Sequence, residues 1–187
     1  MCGQYGFSID EQEIRRIVRE VEQSGAEVKT GEIFPGNTVP ILIAPGGNPK
    51  LVPAVWGLQN PWRKGLVINA RAETASQKPM FRGLLCGQRC LVPSSGFYEW
   101  THDEAHVRCH CRQPGEPLTW MAGLYDWGEG LPRFTILTTA ANFSIAPIHD
   151  RMPLVIPASE GFEWLNDPMA ASLLLGREPA ALSVRVV

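Results

Sequence analysis

The chain begins Met1-Cys2-Gly3. Cysteine is small enough for the preceding methionine to be removed by an aminopeptidase or by self-cleavage. Cys2 would then carry an α-amine and a thiol two carbons apart. Their ordinary pKa values are about 8 and about 8.5, so each has a reactive form at neutral pH. Two chemistries follow. The thiolate can attack a carbonyl with the amine as its base. Alternatively, the amine condenses with an aldehyde to an imine, and the thiol closes on the same carbon. That closure is intramolecular and gives a stable five-membered thiazolidine.

Three further constellations bear chemistry. Asn69-Ala70-Arg71-Ala72-Glu73-Thr74 ends an apolar run. Alternation along an extended segment puts Asn69 and Arg71 on one face. The amide can orient an amine or a sugar hydroxyl, and the arginine offers a planar fork to phosphate, unless it pairs with Glu73. In Gly96-Phe97-Tyr98-Glu99-Trp100, Glu99 stands among aromatic rings. Poor solvation there raises a carboxyl towards useful acid/base values, whereas an outward-facing Glu99 would be ordinary. In Ile148-His149-Asp150-Arg151-Met152-Pro153, His149 can move protons near pH 7. Asp150 can orient it, and Arg151 can reach the same side towards a phosphate.

The elements that hold these residues are short. Ser8 and Glu11 have capping-box spacing, and Ile14, Ile17, Val18 and Val21 form one helical stripe that Gly25 ends. Residues 39–44 and 51–56 read as two strands around Pro45-Gly46-Gly47, and 66–71 as another. Residues 80–88 suit a short helix, and 90–93 and 97–101 suit strands. Residues 106–112, 118–127 and 133–140 read as an antiparallel meander with Pro/Gly turns. After an extended 151–156 and a helical 159–165, Asp167-Pro168 opens a helix that Gly176 closes, and 182–187 reads as a last strand. This order predicts one α+β domain over residues 1–187, with a curled, barrel-like, mainly antiparallel sheet flanked by a few helices.

At 187 residues the chain is long enough for its own core, and 44% apolar content excludes a disordered protein. A net charge of −2 excludes a histone-like mass-action DNA binder. Charge is uneven, however. Residues 61–90 hold Arg63, Lys64, Arg71, Lys78, Arg82 and Arg89 against the single acid Glu73, a candidate phosphate-binding surface. Trp56 and Trp62 bracket a Gly/Pro-rich stretch beside it. If exposed, they can stack on bases; the core is the alternative. No apolar run is long enough to span a membrane, and no secretory signal is visible, so a cytoplasmic protein with free thiols is expected from the five cysteines. Cys86-x3-Cys90 and Cys109-His110-Cys111, with His102 and His106, invite a zinc reading. The C-x-C spacing departs from the usual knuckle, and neither metal nor cofactor is expected.

These motifs occur together in an order that resembles one family. They are Met1-Cys2-Gly3, Trp56-Gly57-Leu58, the Asn69 segment, Arg89-Cys90-Leu91-Val92-Pro93, the Glu99 segment, Thr138-Thr139-Ala140-Ala141-Asn142 and the His149 segment. Over nearly its whole length the chain looks like an SRAP-domain protein, of the SOS-response-associated peptidases. The resemblance implies loss of Met1, with autoproteolysis as one route, and capture of abasic sites in single-stranded DNA as a thiazolidine. It assigns the catalytic roles to Cys2, Asn69, Glu99 and His149, and DNA contacts to Arg71 and Arg151. Trp56 and Lys78 join the DNA-binding candidates on their own chemistry. Asn69 would hold the α-amine, His149 open the sugar and Glu99 move protons. The implied partner is single-stranded DNA with abasic sites, met by a monomer in the cytoplasm at damaged DNA on the nucleoid. Three departures stand out: Gln4 where the family commonly has arginine, Phe34-Pro35-Gly36 in place of an Asn-x-Ala-Pro-Gly-like segment, and a C-terminal stretch without the usual Asn and Pro. Two rival readings are an amidohydrolase using Cys2 and a non-covalent single-strand binder using Arg71, Arg151 and exposed aromatics.

Overall fold

The structure, a computed structural model, describes residues 2–187. Met1, whose removal the sequence predicts, lies outside the described residues. In chain order the elements are β1 (Tyr5–Phe7), α1 (Gln12–Glu22), β2 (Gly31–Ile33), β3 (Thr38–Ile43), β4 (Lys50–Trp56), β5 (Leu58–Gln59), β6 (Leu66–Val67) and β7 (Asn69–Arg71). There follow α2 (Ala72–Ala75), α3 (Pro79–Gly87), β8 (Arg89–Ser94), β9 (Gly96–Trp100), β10 (Arg108–Arg112), β11 (Thr119–Asp126) and β12 (Arg133–Ala140). The last are β13 (Arg151–Pro153), α4 (Gly161–Asn166), α5 (Pro168–Gly176) and β14 (Ser183–Val186).

Strands β11, β8, β3, β4 and β12 pair in that order, and β11 also pairs with β12, so the sheet curls until its ends meet. The contacts are antiparallel except β4–β12, which is parallel. A second sheet runs β14-β10-β9-β1-β2. The curled α+β architecture is therefore as expected.

Successive residues of the ring strands belong to different cores. Val92, Met121 and Ile136 pack in the larger cluster with Tyr5, Trp56 and Phe134. Their neighbours Leu91, Ala122 and Leu137 pack in a second cluster with Trp164 and Leu174 of α4 and α5. Side chains alternate across a strand, so a strand covered on both faces reads as a continuous apolar run.

Three expectations need correction. Helix α1 buries Ile14, Ile17 and Val21, as its stripe requires, but there is no capping box. Ser8 bonds Asp10, and Glu11 faces Arg112 from the N-cap position without capping the helix. Residues 66–71 are two strands broken at Ile68, because β6 pairs with β5 and β7 with β12. The meander does not form. Strand β10 joins β9 and β14 in the second sheet, so of the three expected meander strands β11 and β12 pair with each other and β10 with neither. The cap at Asp167 is as read, accepting from the Met169 and Ala170 N–H groups.

Candidate active site

Strand β12 is the organiser. Along one edge, Ile136 and Thr138 pair with Asn69 and Arg71 of β7. Along the other, Ala140 pairs with Arg151 of β13. Two motifs distant in the chain are thereby fixed about a single strand.

The second sheet brings in Cys2 and Glu99. Strand β1 pairs with β9 through Tyr5–Phe97, and the Tyr98 N–H donates to the Gln4 carbonyl at 3.0 Å. Close approach at the start of β9 requires glycine. Gly96 has φ 131°, and a Cβ there would lie 2.4 Å from His110 Nε2. Cys2 is fully buried, its thiol 3.6 Å from the Gln4 carbonyl oxygen. Burial pushes the thiol well above its ordinary pKa, with the nearby Glu99 charge adding to the effect, so it is protonated at neutral pH. The Asn69 side chain reaches across, its Nδ2 donating to the Cys2 carbonyl at 2.8 Å. Asn69 Oδ1 is buried and has no hydrogen-bond partner among the described residues.

Glu99 is 4% exposed, which settles its orientation as inward. Burial raises its carboxyl to about 7, where both protonation states are populated at neutral pH. His149 is largely covered. Its Nδ1 lies 2.9 Å from the Arg151 N–H and 2.7 Å from Asp150 Oδ1. The neutral ring accepts the first contact; a proton on Nδ1 would favour the second. Burial lowers the pKa of His149 below the ordinary value.

Arg151 is gripped. It donates to both Glu73 carboxylate oxygens at 2.6 and 2.9 Å, and to the Thr138 carbonyl at 2.7 Å. The hydrogen bonds from Arg151 hold the Glu73 carboxyl down at about 2. The acid that sequence proximity offered to Arg71 thus belongs to Arg151, and Arg71 is exposed. Lys78 is exposed too. With Trp62, Asn69, Arg71, Thr74 and Phe81 it lines a mainly apolar groove of about 290 Å³.

Trp56 takes its core alternative. It is 0% exposed, packed between Tyr5 and Phe134, and its indole N–H donates to the Ile68 carbonyl. No ring face remains for a base, and the open indole is Trp62, 71% exposed. Arg89 also leaves the basic surface. It is 3% exposed and donates to the carbonyls of Leu85, Trp164 and Leu165. The positions that sequence reasoning undervalued are Glu73, which orients Arg151, and His102, whose ring centroid lies 4.6 Å from that of His149. His102 figured only in the zinc reading. No cluster of three or more potential metal ligands occurs among the described residues.

Fold and site together define a closed-sheet protein in which an amide holds the backbone of Cys2, a buried carboxyl lies near its thiol, and an imidazole and arginines are fixed about β12. The model of the family described as SOS response associated peptidase (SRAP) matches residues 1–186, and the chain belongs to this family. The abasic site processing protein YoqW of Bacillus subtilis is 38% identical over 146 residues, which cover 72% of this chain and 65% of that protein. The abasic site processing protein YedK of Escherichia coli is 28% identical over 182 residues, 91% of this chain and 82% of YedK. A crystal structure of a protein from Bacteroides thetaiotaomicron superposes with a TM-score of 0.82 at 26% identity, covering 100% of this chain and 92% of that one.

Proposed function

We propose that this protein captures abasic sites in single-stranded DNA through Cys2, after hydrolysis of the Met1–Cys2 peptide bond. The observation that carries the reading is the clasp of Asn69 on Cys2: Nδ2 holds the backbone carbonyl, and Oδ1 is left as a buried acceptor. A side chain so placed suits a terminal α-amine, which has more N–H donors to satisfy than the single N–H of an internal residue.

Hydrolysis adds water across the Met1–Cys2 bond, releasing methionine and freeing the Cys2 amine. An abasic sugar is mostly a closed hemiacetal. Neutral His149 takes its hydroxyl proton and returns a proton to the ring oxygen as the C–O bond breaks, which exposes the aldehyde. The amine adds to the aldehyde carbon, and the hydroxyl so formed departs as water with a proton from Glu99. That leaves the imine. The Cys2 sulfur then bonds to the same carbon, and the thiol proton passes to the nitrogen through Glu99. Overall, aldehyde, amine and thiol give a thiazolidine and one water. The buried, protonated thiol favours this amine-first order over direct thiolate attack.

Arg71 and Arg151 supply charge for the flanking phosphates, Arg151 in an orientation set by Glu73. Lys78 and Trp62 border the adjoining groove, a place for a neighbouring unpaired nucleotide. The working unit in this reading is a monomer on one exposed strand, in the cytoplasm at the nucleoid, because no role named here calls for a second copy. A denaturing gel tests the reading. Protein with a verified Cys2 terminus and an oligonucleotide carrying one abasic site should give a band that survives denaturation. Undamaged oligonucleotide should give none. Absence of the band with the damaged strand overturns covalent capture.

A further inference from the structure

His102 sits in the loop between β9 and β10, and that loop is pinned. The Thr101 N–H donates to the Val107 carbonyl at 3.0 Å, and the Val107 N–H donates to Thr101 Oγ1 at 2.8 Å. Thr101 Oγ1 donates to Asp103, and the His106 N–H to the Asp103 carbonyl. His106 turns the chain with φ 45°. A loop tied at these points presents His102 in a defined place. Its ring meets that of His149 edge to face, at 82°. The two differ in solvation: the His149 side chain is 11% exposed, whereas His102 is open to solvent.

We propose that His102 is a positioning residue for His149, seating its ring and, when protonated, supplying the like charge that keeps His149 neutral. Two imidazolium charges this close repel, and a charge on His102 opposes protonation of His149. A charge costs more in solvation on His149, the more covered ring. His149 then stays a base to lower pH than it would alone. The other charged side chains facing His149 are Asp150 and Arg151 on its own segment. Asp150 favours its protonation, while His102 and Arg151 oppose it. The purpose of this device rests on the proposed role of His149 in opening the abasic sugar.

The test follows the imidazole resonances of the full chain by NMR across pH, in wild type, His102→Phe and His102→Lys. Phenylalanine keeps a ring and removes the charge; lysine keeps a charge and removes the ring. The His149 midpoint should rise by about half a unit in His102→Phe, and should stay at or below the wild-type value in His102→Lys. Cross-linking rates measured on the same proteins should show the acid limb moving to higher pH in His102→Phe by the same interval. One unchanged His149 midpoint in all three proteins overturns the proposal, as does an unmoved acid limb where wild type cross-links. A shifted midpoint in a wild-type background that never cross-links supports the coupling and overturns only the function it would serve.

Discussion

Glu73 and Arg151 stand 78 positions apart in the sequence and are joined by two parallel hydrogen bonds, of 2.6 and 2.9 Å. The pair ties α2 to β13 on either side of β12, and the Glu73 carboxylate also accepts from the Ala140 N–H. The Arg151 side chain is 12% exposed and that of Glu73 is 43% exposed, so solvent screens the attraction.

The pair has a defined pH signature. The folded pKa of Glu73, about 2, lies below its ordinary 4.5. Its stabilisation is therefore present above pH 4.5 and is lost as pH falls towards 2. Urea unfolding should show Glu73→Gln less stable than wild type at neutral pH, by less than about 1 kcal/mol, with the difference vanishing near pH 2. Non-covalent binding of abasic single strands should weaken as well, because Arg151 loses its seat. Tighter binding by Glu73→Gln would mean that the carboxylate competes with phosphate instead of aiming the arginine.

Glu99 has the opposite sign. Its folded pKa, about 7, lies above the ordinary 4.5, so folding favours the neutral acid. Stability from this group is fully present below pH 4.5 and is lost as pH rises through 7. Between pH 4.5 and 8 the loss should amount to about 3 kcal/mol, and Glu99→Gln should flatten that part of the stability curve. The same substitution should slow cross-linking by about 10²-fold or more at neutral pH, since the amide moves no proton. A wild-type slope retained in Glu99→Gln would assign the pH dependence to another group.

The two tryptophans separate core from surface. Trp56→Ala should destabilise the fold by about 3–5 kcal/mol, because it empties the space between Tyr5 and Phe134. Trp62→Ala should leave urea stability within about 0.5 kcal/mol. It should weaken single-strand binding by about 1–3 kcal/mol in fluorescence anisotropy, the range for one base stacked on an aromatic. Equal affinity of Trp62→Ala and wild type would exclude the groove from the strand's path.

What was legible in the sequence was whatever lay within one short segment. Cys2, Asn69, Glu99 and His149 each announced a chemistry through their neighbours, and the apolar runs announced buried strands. Contacts made across the fold were not legible. Nothing near Glu73 shows that its partner is Arg151 and not Arg71, since the choice depends on β7 and β13 flanking β12. Trp56 and Trp62 share residue type and a Gly/Pro setting, and only closure of the ring through β4 and β12 buries the first. Strand β10 looked continuous with β11 because a Pro114-Gly115 turn follows it, yet the chain crosses there from one sheet to the other. Arg89 carries the same charge as Arg82, but a run of three carbonyl acceptors holds it inside.

Thiol accessibility gives a direct reading of the core. Cys2, Cys90, Cys109 and Cys111 are buried free cysteines, and Cys86 is exposed. Maleimide treatment of the native protein that retains Met1 should label Cys86 alone within minutes, and all five thiols in urea, by intact mass. Burial also pushes the Cys111 thiol up to about 12, which reinforces its protection. Rapid native labelling of Cys2 would show that the β1 entry opens readily, and would weaken the case for an amine-first reaction.

The order of bond formation makes the sharpest prediction. If the α-amine reacts first, Cys2→Ala with its initiator methionine removed keeps the group that forms the imine and lacks only the sulfur that closes on it. Such a protein should give no band on a denaturing gel with an abasic strand, because an imine hydrolyses on unfolding. Adding borohydride during the reaction should reduce the imine to a stable secondary amine and restore a band whose intensity follows imine occupancy. Asn69→Leu in the same background should lower that trapped yield by about tenfold, since the side chain holding the Cys2 carbonyl and offering Oδ1 is gone. A sulfur-first mechanism predicts something different. Cys2→Ala would then stay unlinked even with borohydride, and Asn69→Leu would matter only where the thiol is present.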